Sequence, residues 1–330
     1  MIIQRLNNRI EIATPAKINL FLELLGRRDD GFHEIETVMS AVSIFDRLSF
    51  TTRTDSDIRL SINYSTRGQL PAETDLIPAD DRNLIVKAIK LVRQTALTEN
   101  ALTENALPDS DQHEACSVGM DVVLSKNIPS AAGLGGASSD AAAALVAANE
   151  MWNLNWSKQK LEQLAAQLGS DIPFFITGGT AICRGRGEKI EPLNVPSGLS
   201  LVVVKPQVSL STADVFKQVS SSTEIKSADE MLQGLHQGSS QLIGNKLFNR
   251  LEQFADVLTS QVSEVRKLFS SLNSLGHQMS GSGSSYFGLF SNPRTARQAS
   301  RRLSSRLPCL RIFCTQTLSP TRLRPASLRS

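Results

Sequence analysis

PSAAGLGGASSDAAAALV, residues 129–146, is the stretch on which the fold turns. Gly133, Gly135 and Gly136 stand within four positions. Ser138, Ser139 and Asp140 follow, and then an Ala-rich run of high helix propensity. Glycines let a backbone approach a ligand closely and take up positive φ. A helix start offers unpaired N–H groups and the positive end of a dipole. Together they make a site for phosphate. Upstream, Val118, Met120, Val122 and Leu124 alternate with Gly119, Asp121 and Val123, which is the pattern of a half-buried strand. Lys126-Asn127-Ile128-Pro129 closes it, so the order is strand, glycine loop, helix. No Lys follows Gly136, as a P-loop requires, and Gly133-Leu134-Gly135-Gly136 fits the dinucleotide fingerprint badly. Taken alone, the stretch leaves a tight loop without a ligand open.

The rest of the composition narrows the classes. A chain of 330 residues is long for one core and comfortable for two domains. A net charge of +3 gives no reason to expect nucleic acid as a partner. Cys116, Cys183, Cys309 and Cys314 form no C-x-x-C pair, so free thiols in a reducing cytosol are expected. His33, His113, His236 and His277 are scattered without metal-ligand spacing, which argues against zinc. No apolar run approaches the ~20 residues that cross a bilayer, and MIIQRLNNRIEI lacks the apolar segment of a secretory signal. A cytoplasmic protein without a membrane partner is expected.

Residues 9–25 read as one or two strands and Gly26–Gly31 as a charged turn, with more sheet over 35–50 and 57–63. A helix is predicted over 83–94, with Leu84, Ala88 and Leu91 on one face. ALTEN, repeated over 96–105, reads as a duplication lengthening a loop or helix end. Ser157 caps a helix whose stripe is Leu161, Leu164, Ala165 and Leu168, and Gly169 stops it. Pro192, Pro196 and Gly198 mark a domain boundary. Beyond it, Leu201–Val204 reads as an apolar strand. Residues 228–272 read as mainly helical, with Phe248, Leu251, Ala255, Leu258 and Val262 on one face. Residues 221–240 are polar and read as holding a mobile loop. The tail, with Arg322, Arg324 and Arg329, reads as disordered.

Three further features carry chemistry. A second glycine cluster, Met279-Ser280-Gly281-Ser282-Gly283-Ser284-Ser285, reads as a hairpin or strand-entry loop. In Pro15-Ala16-Lys17-Ile18-Asn19-Leu20, alternation puts Lys17 and Asn19 together on the face opposite Ile18 and Leu20. A solvated strand face is the alternative for that pair. Asp171 sits between a helix stop and Ile172-Pro173-Phe174-Phe175. If desolvated it needs a cation, and Lys17 is the candidate; a helix-terminal turn residue is the alternative.

PAKINL, PSAAGLGGASSDAAAAL and MSGSGSS resemble, in order and spacing, the three motifs of the GHMP kinases. GRRDDGFHEIETVMSAVSIFD and LGSDIPFF resemble the branch acting on a cytidine-diphosphate acceptor, and the likeness runs from about Thr14 to about Phe290. The resemblance implies a two-domain α+β fold with the active-site cleft between an ATP-binding domain, 1–197, and a C-terminal domain, 198–318. Residues 319–330 form the basic tail. It also implies transfer of phosphate from ATP, with Mg²⁺, to the 2-hydroxyl of 4-diphosphocytidyl-2-C-methyl-D-erythritol in non-mevalonate isoprenoid synthesis. Another GHMP small-molecule kinase, acting on a mevalonate-like, homoserine or sugar substrate, is the alternative. The chain would work as a monomer or homodimer.

By motif match, Asp171 falls on the base and Lys17 on the residue that keeps it ionised. Pro129, Ser130, Ala131, Ala132, Gly133, Leu134, Gly135, Gly136, Ala137, Ser138 and Ser139 fall on the phosphate loop. Ser138 or Ser139 would help hold Mg²⁺, with Ser139 the first choice. Asn83 and Lys126 join the ATP side, and Asp140 is read as serving the helix start. The acceptor side takes Asn19, Phe32, His33, Thr212, Gly281, Ser282 and Gly283, with Phe32 to stack on the cytosine and His33 to hydrogen-bond its edge. Phe32 stands where the family often has Tyr, which keeps the stack and drops a phenol hydrogen bond.

Overall fold

The glycine loop joins a strand to a helix, as its flanking patterns require. The computed structural model describes residues 1–64, 76–103, 118–219 and 224–320. The described residues form, in order, strands β1 (Ile2–Leu6), β2 (Arg9–Arg27), β3 (His33–Thr52) and β4 (Ile58–Tyr64), helix α1 (Leu84–Thr103) and strand β5 (Met120–Lys126). Helices α2 (Gly136–Met151), α3 (Lys158–Leu168) and α4 (Ile172–Thr177) follow, then strands β6 (Thr180–Gly185), β7 (Lys189–Leu193) and β8 (Ser200–Lys205). Next come helices α5 (Thr212–Lys217), α6 (Asp229–His236) and α7 (Ser240–Asn245), strand β9 (Phe248–Asn249), and helices α8 (Glu252–Leu258) and α9 (Ser260–Ser270). Strands β10 (Gly276–Met279) and β11 (Tyr286–Phe290), helix α10 (Pro293–Arg306) and strand β12 (Arg311–Gln316) complete the order.

This is an α+β architecture on two sheets. One runs β1-β2-β3-β5-β4, with β6 and β7 continuing from β3 and β9 attached to β2. The other runs β10-β11-β8-β12. The chain changes sheet between β7 and β8, across Pro196 and Gly198. Two strand pairings cross that seam among the described residues. Phe248 and Asn249 pair in parallel with Phe21 and Leu22, and Val42 bridges to Thr317.

Strand β2 is buried without a break from Thr14 to Leu24 because both of its faces are covered. Ile18 and Leu20 share a core with Leu201, Val203, Phe287 and Leu289 of the second sheet. Helix α2 is buried along nearly all its length, with Ala141 to Ala144 fully enclosed. Four small residues in a row let it lie close to the sheet, and a helix apolar all round belongs inside. Ser157 caps α3 by accepting from Lys160 N at 3.2 Å. Gly169 ends α3 in an extended conformation, φ 172°, so no left-handed cap is involved.

Three sequence expectations shift. Helix α1 buries Ile85, Ala88, Ile89, Val92 and Ala96, a stripe one residue on from Leu84 and Leu91. It runs through the first ALTEN copy to Thr103, and residues 104–105 lie outside the described residues. Residues 228–272 are four short helices interrupted by β9, so Phe248 is a strand residue and Leu258 is exposed. The sheet edge at Phe21–Leu22 captures Phe248–Asn249, and Thr259 breaks the next helix with extended backbone, φ −159°. Of the polar stretch 221–240, residues 221–223 lie outside the described residues and α6 takes up much of the rest. Residues 321–330 of the tail, with Cys116 and His113, also lie outside them. Cys183, Cys309 and Cys314 are free thiols. No helix among the described residues is long and apolar enough to cross a membrane.

Candidate active site

The glycine loop turns on three left-handed residues, Ala131 at φ 44°, Gly133 at φ 71° and Gly135 at φ 68°. Gly135 is the residue before α2, and Ser139 N donates to its carbonyl at 2.8 Å. Helix geometry then leaves the N–H groups of Gly136, Ala137 and Ser138 without intrahelical acceptors. Ala132 and Leu134 turn their side chains into the core, so only their backbone can meet a ligand. Ala131 and Ala137 are exposed.

The second glycine cluster is the turn between β10 and β11, and it presses on the first. Ser280 Oγ donates to Gly133 O at 3.0 Å, and Ser285 N to Ala132 O at 3.1 Å. A methyl on Gly133 would lie 3.0 Å from the Ser280 carbonyl carbon and closer still to its oxygen. Lys17 N donates to Leu134 O at 2.9 Å, and a methyl on Gly135 would sit 3.0 Å from Lys17 Cγ. A methyl on Gly281 would be 3.1 Å from Lys17 Nζ. Three segments far apart in sequence therefore meet with no room for one added carbon.

Lys17 and Asn19 do share a face, and that face is buried. Lys17 Nζ donates to Asn19 Oδ1 at 2.6 Å and lies 3.4 Å from Asp171 Oδ2. Asn19 Nδ2 donates to Thr37 Oγ1 at 2.8 Å, and Thr37 donates to Phe21 O at 2.6 Å. The Lys17 side chain is 5% exposed and that of Asp171 35%. A buried ammonium held by a fixed amide thus faces a carboxylate that remains open on its other side.

Three residues at the loop have partners inside the fold. Ser139 is fully buried; its hydroxyl donates to Pro15 O at 2.6 Å and touches Thr14 Oγ1. It ties α2 to β2 and does not reach the loop's open side, whereas Ser138 is half-buried there. Lys126 is buried between two carboxylates, bonded to Asp140 Oδ2 at 2.9 Å and to Asp46 Oδ2. It is a cross-brace under the loop. Asp140 serves that brace and does not cap α2. Burial, reinforced by the Asp46 carboxylate and opposed by Lys126, pushes Asp140 up to about 8. Asp46 Oδ1 also accepts from Asn127 N and Ile128 N, at 2.5 and 2.7 Å, which fixes the entry to the loop. Asn83 caps α1: its Oδ1 accepts from Ile85 N at 2.9 Å, and its Nδ2 donates to Pro78 O at 2.6 Å.

Asn249 and Glu252, which the sequence reading did not single out, lie within the stretch read as mainly helical. Asn249 Nδ2 donates to Met279 O and Gly281 O, both at 2.8 Å, and Glu252 Oε2 accepts from Met279 N at 2.9 Å. They hold the second glycine turn from behind. Their spacing in Asn249-Arg250-Leu251-Glu252 carries no signal of that contact.

Phe32 and His33 stand at the start of β3. Phe32 is exposed, and its ring has the Arg186 guanidinium over it, Cζ 4.9 Å from the centroid. The His33 ring packs on Phe216, centroids 5.2 Å apart. Burial, and then the charge of Arg27, lower the His33 pKa. At neutral pH its imidazole is therefore neutral, with one N–H and one acceptor. Thr212 Oγ1 and Ser282 Oγ are 2.9 Å apart, joining α5 to the second glycine turn. Phe216 was missed in the sequence; its place one turn after Thr212 is the signal that could have found it.

Comparison with known proteins points to one family. Residues 83–179 match the GHMP kinases N terminal domain and residues 231–309 the GHMP kinases C terminal domain. The 4-diphosphocytidyl-2-C-methyl-D-erythritol kinase of Pelotomaculum thermopropionicum is 38% identical, over 92% of this chain and 96% of its own. That of Alkaliphilus metalliredigens is 33% identical, over 90% and 93%. A crystal structure of 4-(cytidine 5'-diphospho)-2C-methyl-D-erythritol kinase superposes with a TM-score of 0.72 at 30% identity, covering 93% of this chain and 98% of that one. Homoserine kinase from Cytophaga hutchinsonii shares the fold, with a TM-score of 0.69 at 18% identity.

Proposed function

The chain belongs to the GHMP kinase family, among its 4-diphosphocytidyl-2-C-methyl-D-erythritol kinases, and from that premise we propose the reaction and the part each residue takes in it. It is an ATP-dependent small-molecule kinase. It transfers the γ-phosphoryl group of ATP to the 2-hydroxyl of 4-diphosphocytidyl-2-C-methyl-D-erythritol, giving the 2-phosphate and ADP, in the non-mevalonate isoprenoid pathway. The observation that carries the mechanism is the open Asp171 carboxylate 3.4 Å from the buried Lys17 ammonium, beside two interlocked glycine loops.

The acceptor oxygen forms its bond to the γ-phosphorus while its proton passes to Asp171 and ADP leaves. Lys17 keeps Asp171 ionised and offsets the charge that builds on the transferring group. Asn19 and Thr37 hold Lys17 in place. The N–H groups of Gly136, Ala137 and Ser138, at the positive end of α2, receive the triphosphate, so catalysis rests on positioning and charge neutralisation. Phe32 stacks on the cytosine, neutral His33 meets its edge, and Phe216 backs His33. Gly281, Ser282 and Gly283 close the acceptor side, with Thr212 tied to Ser282.

No group of three His, Cys, Asp or Glu side chains suited to a metal occurs among the described residues. Mg²⁺ commonly binds through substrate phosphates, water and few protein oxygens, so this donor set fits an ion arriving with the nucleotide. Ser138 would supply the protein oxygen, and the bound ion would neutralise β- and γ-phosphate charge. The two sheets support an ATP-binding half over 1–197 and a second half over 198–318. A monomer or homodimer working in the cytoplasm completes the reading. ADP release with cytidyl-methylerythritol, mevalonate and homoserine side by side tests the reading. Turnover of the first alone is expected; preference for either other acceptor overturns it.

A further inference from the structure

Arg186 has no part in the mechanism above, yet it stands between two of its elements. It lies in the turn joining β6 to β7. Because Gly185 pairs with Ile35, that turn runs beside the start of β3, where Phe32 and His33 are. Its guanidinium covers one face of the Phe32 ring. The other side of the turn touches the proposed base: a methyl on Gly187 would lie 3.8 Å from Asp171 Oδ1 and 3.7 Å from Ser170 Cβ.

Two neighbouring arginines are neutralised. Arg184 pairs with Glu36 at 2.9 Å and Glu191 at 3.1 Å, and Arg28 with Glu34 at 2.7 Å and Asp30 at 3.1 Å. Arg186 reaches a carboxylate only loosely, Glu188 at 4.0 Å, and that carboxylate accepts a 2.7 Å hydrogen bond from Arg186 N. The guanidinium, 31% exposed in its side chain, keeps donors to offer.

In the proposed acceptor the base and the reacting hydroxyl are separated by a diphosphate. With the base on Phe32 and the hydroxyl at Asp171, that diphosphate spans the gap beside this turn. We infer that Arg186 binds the acceptor's diphosphate, its planar fork meeting two phosphate oxygens while its face stays on Phe32. The inference rests on the cytidine-diphosphate reading of the site. A guanidinium suits both tasks, since it stacks on aromatic rings and grips phosphate bidentately. It would let the enzyme select a nucleoside diphosphate over the bare nucleoside.

The test measures binding of CDP and of cytidine by calorimetry, with the ATP site filled by a non-hydrolysable ATP analogue and Mg²⁺. Wild type, Arg186→Ala and Arg186→Lys are compared. Arg186→Ala is expected to weaken CDP about tenfold more than cytidine, and Arg186→Lys to recover part of the difference. The wild-type preference for CDP should shrink with rising salt, and that of Arg186→Ala should not. Equal losses for both ligands would make Arg186 only a platform under Phe32 and overturn the inference, as would no loss for either. Failure of wild type to bind either ligand would overturn the cytidyl reading itself, and this inference with it.

Discussion

Replacing Asp171 by Asn should remove catalysis while leaving the architecture standing. The change keeps the side-chain shape and deletes one charge. Unit charges at the observed 3.4 Å attract by about 5 kcal/mol at an effective dielectric of ~20 and by about 1 kcal/mol under water-like screening. With 35% of the Asp171 side chain exposed, the lower figure applies. Lys17 keeps its 2.6 Å bond to Asn19 Oδ1, so no buried ammonium is orphaned. Stability should fall by about 1 kcal/mol or less, a Tm shift of about 2 °C. The chemical step loses its proton acceptor, an effect of about 10²- to 10⁴-fold, or about 3 to 5 kcal/mol. The assay is ADP release at saturating concentrations of both substrates, with ATP affinity by titration and Tm by calorimetry. A kcat at least about 100-fold lower, with ATP affinity within about threefold of wild type, is expected. A kcat within about tenfold would refute Asp171 as base. A Tm loss above about 8 °C would refute the charge argument.

Other substitutions probe the rest of the site. Gly133→Ala forces a methyl onto the Ser280 carbonyl at a left-handed position; the ATP KM should rise at least about tenfold, and a change under about twofold would show that the two loops need not interlock. Phe32→Ala removes a base stack of about 1–3 kcal/mol, so the acceptor KM should rise about 5- to 150-fold with the ATP KM unchanged; equal changes in both would remove the stacking role. Asp140, held near 8 when folded against about 3.9 when unfolded, takes up a proton on folding between those values. Its stabilising contribution is therefore full below about pH 4 and is lost as pH rises through about 8. Asp140→Asn should flatten the decline of Tm from pH 5 to 8.5, and parallel curves for the two proteins would rule out this proton uptake.

Much of the site was legible because short-range patterns report it. Strand alternation set Lys17 and Asn19 on one side of β2. Clustered glycines before an Ala-rich run located the proposed phosphate loop. The helix stop before Ile172 isolated Asp171. Where the sequence did not show a side chain's surroundings, the cause was a partner far along the chain. Lys126 stands beside a phosphate loop, but Asp46 and Asp140 enclose it, and Asp46 is 80 residues away. Ser139 sits in the right loop and points inward because helix periodicity turns it toward Thr14 and Pro15. Phe248 fits a helical stripe, yet an open edge of β2 takes it as a strand.

By itself the sequence determined the α+β class and the order of strand, loop and helix, and it singled out the two groups proposed for the centre of the chemistry. Each depends on residues within one turn or one strand of each other, where backbone geometry links position to direction. The tertiary structure decided which polar groups are free. The bond from Lys17 to Asn19, the burial of Lys126 between two carboxylates, the capture of Gly133 against Ser280 and the stack of Arg186 on Phe32 join segments whose approach depends on how the two sheets and α2 pack. A charged or hydroxyl side chain can brace the core or serve a ligand, and only the packing around it leaves one of those open.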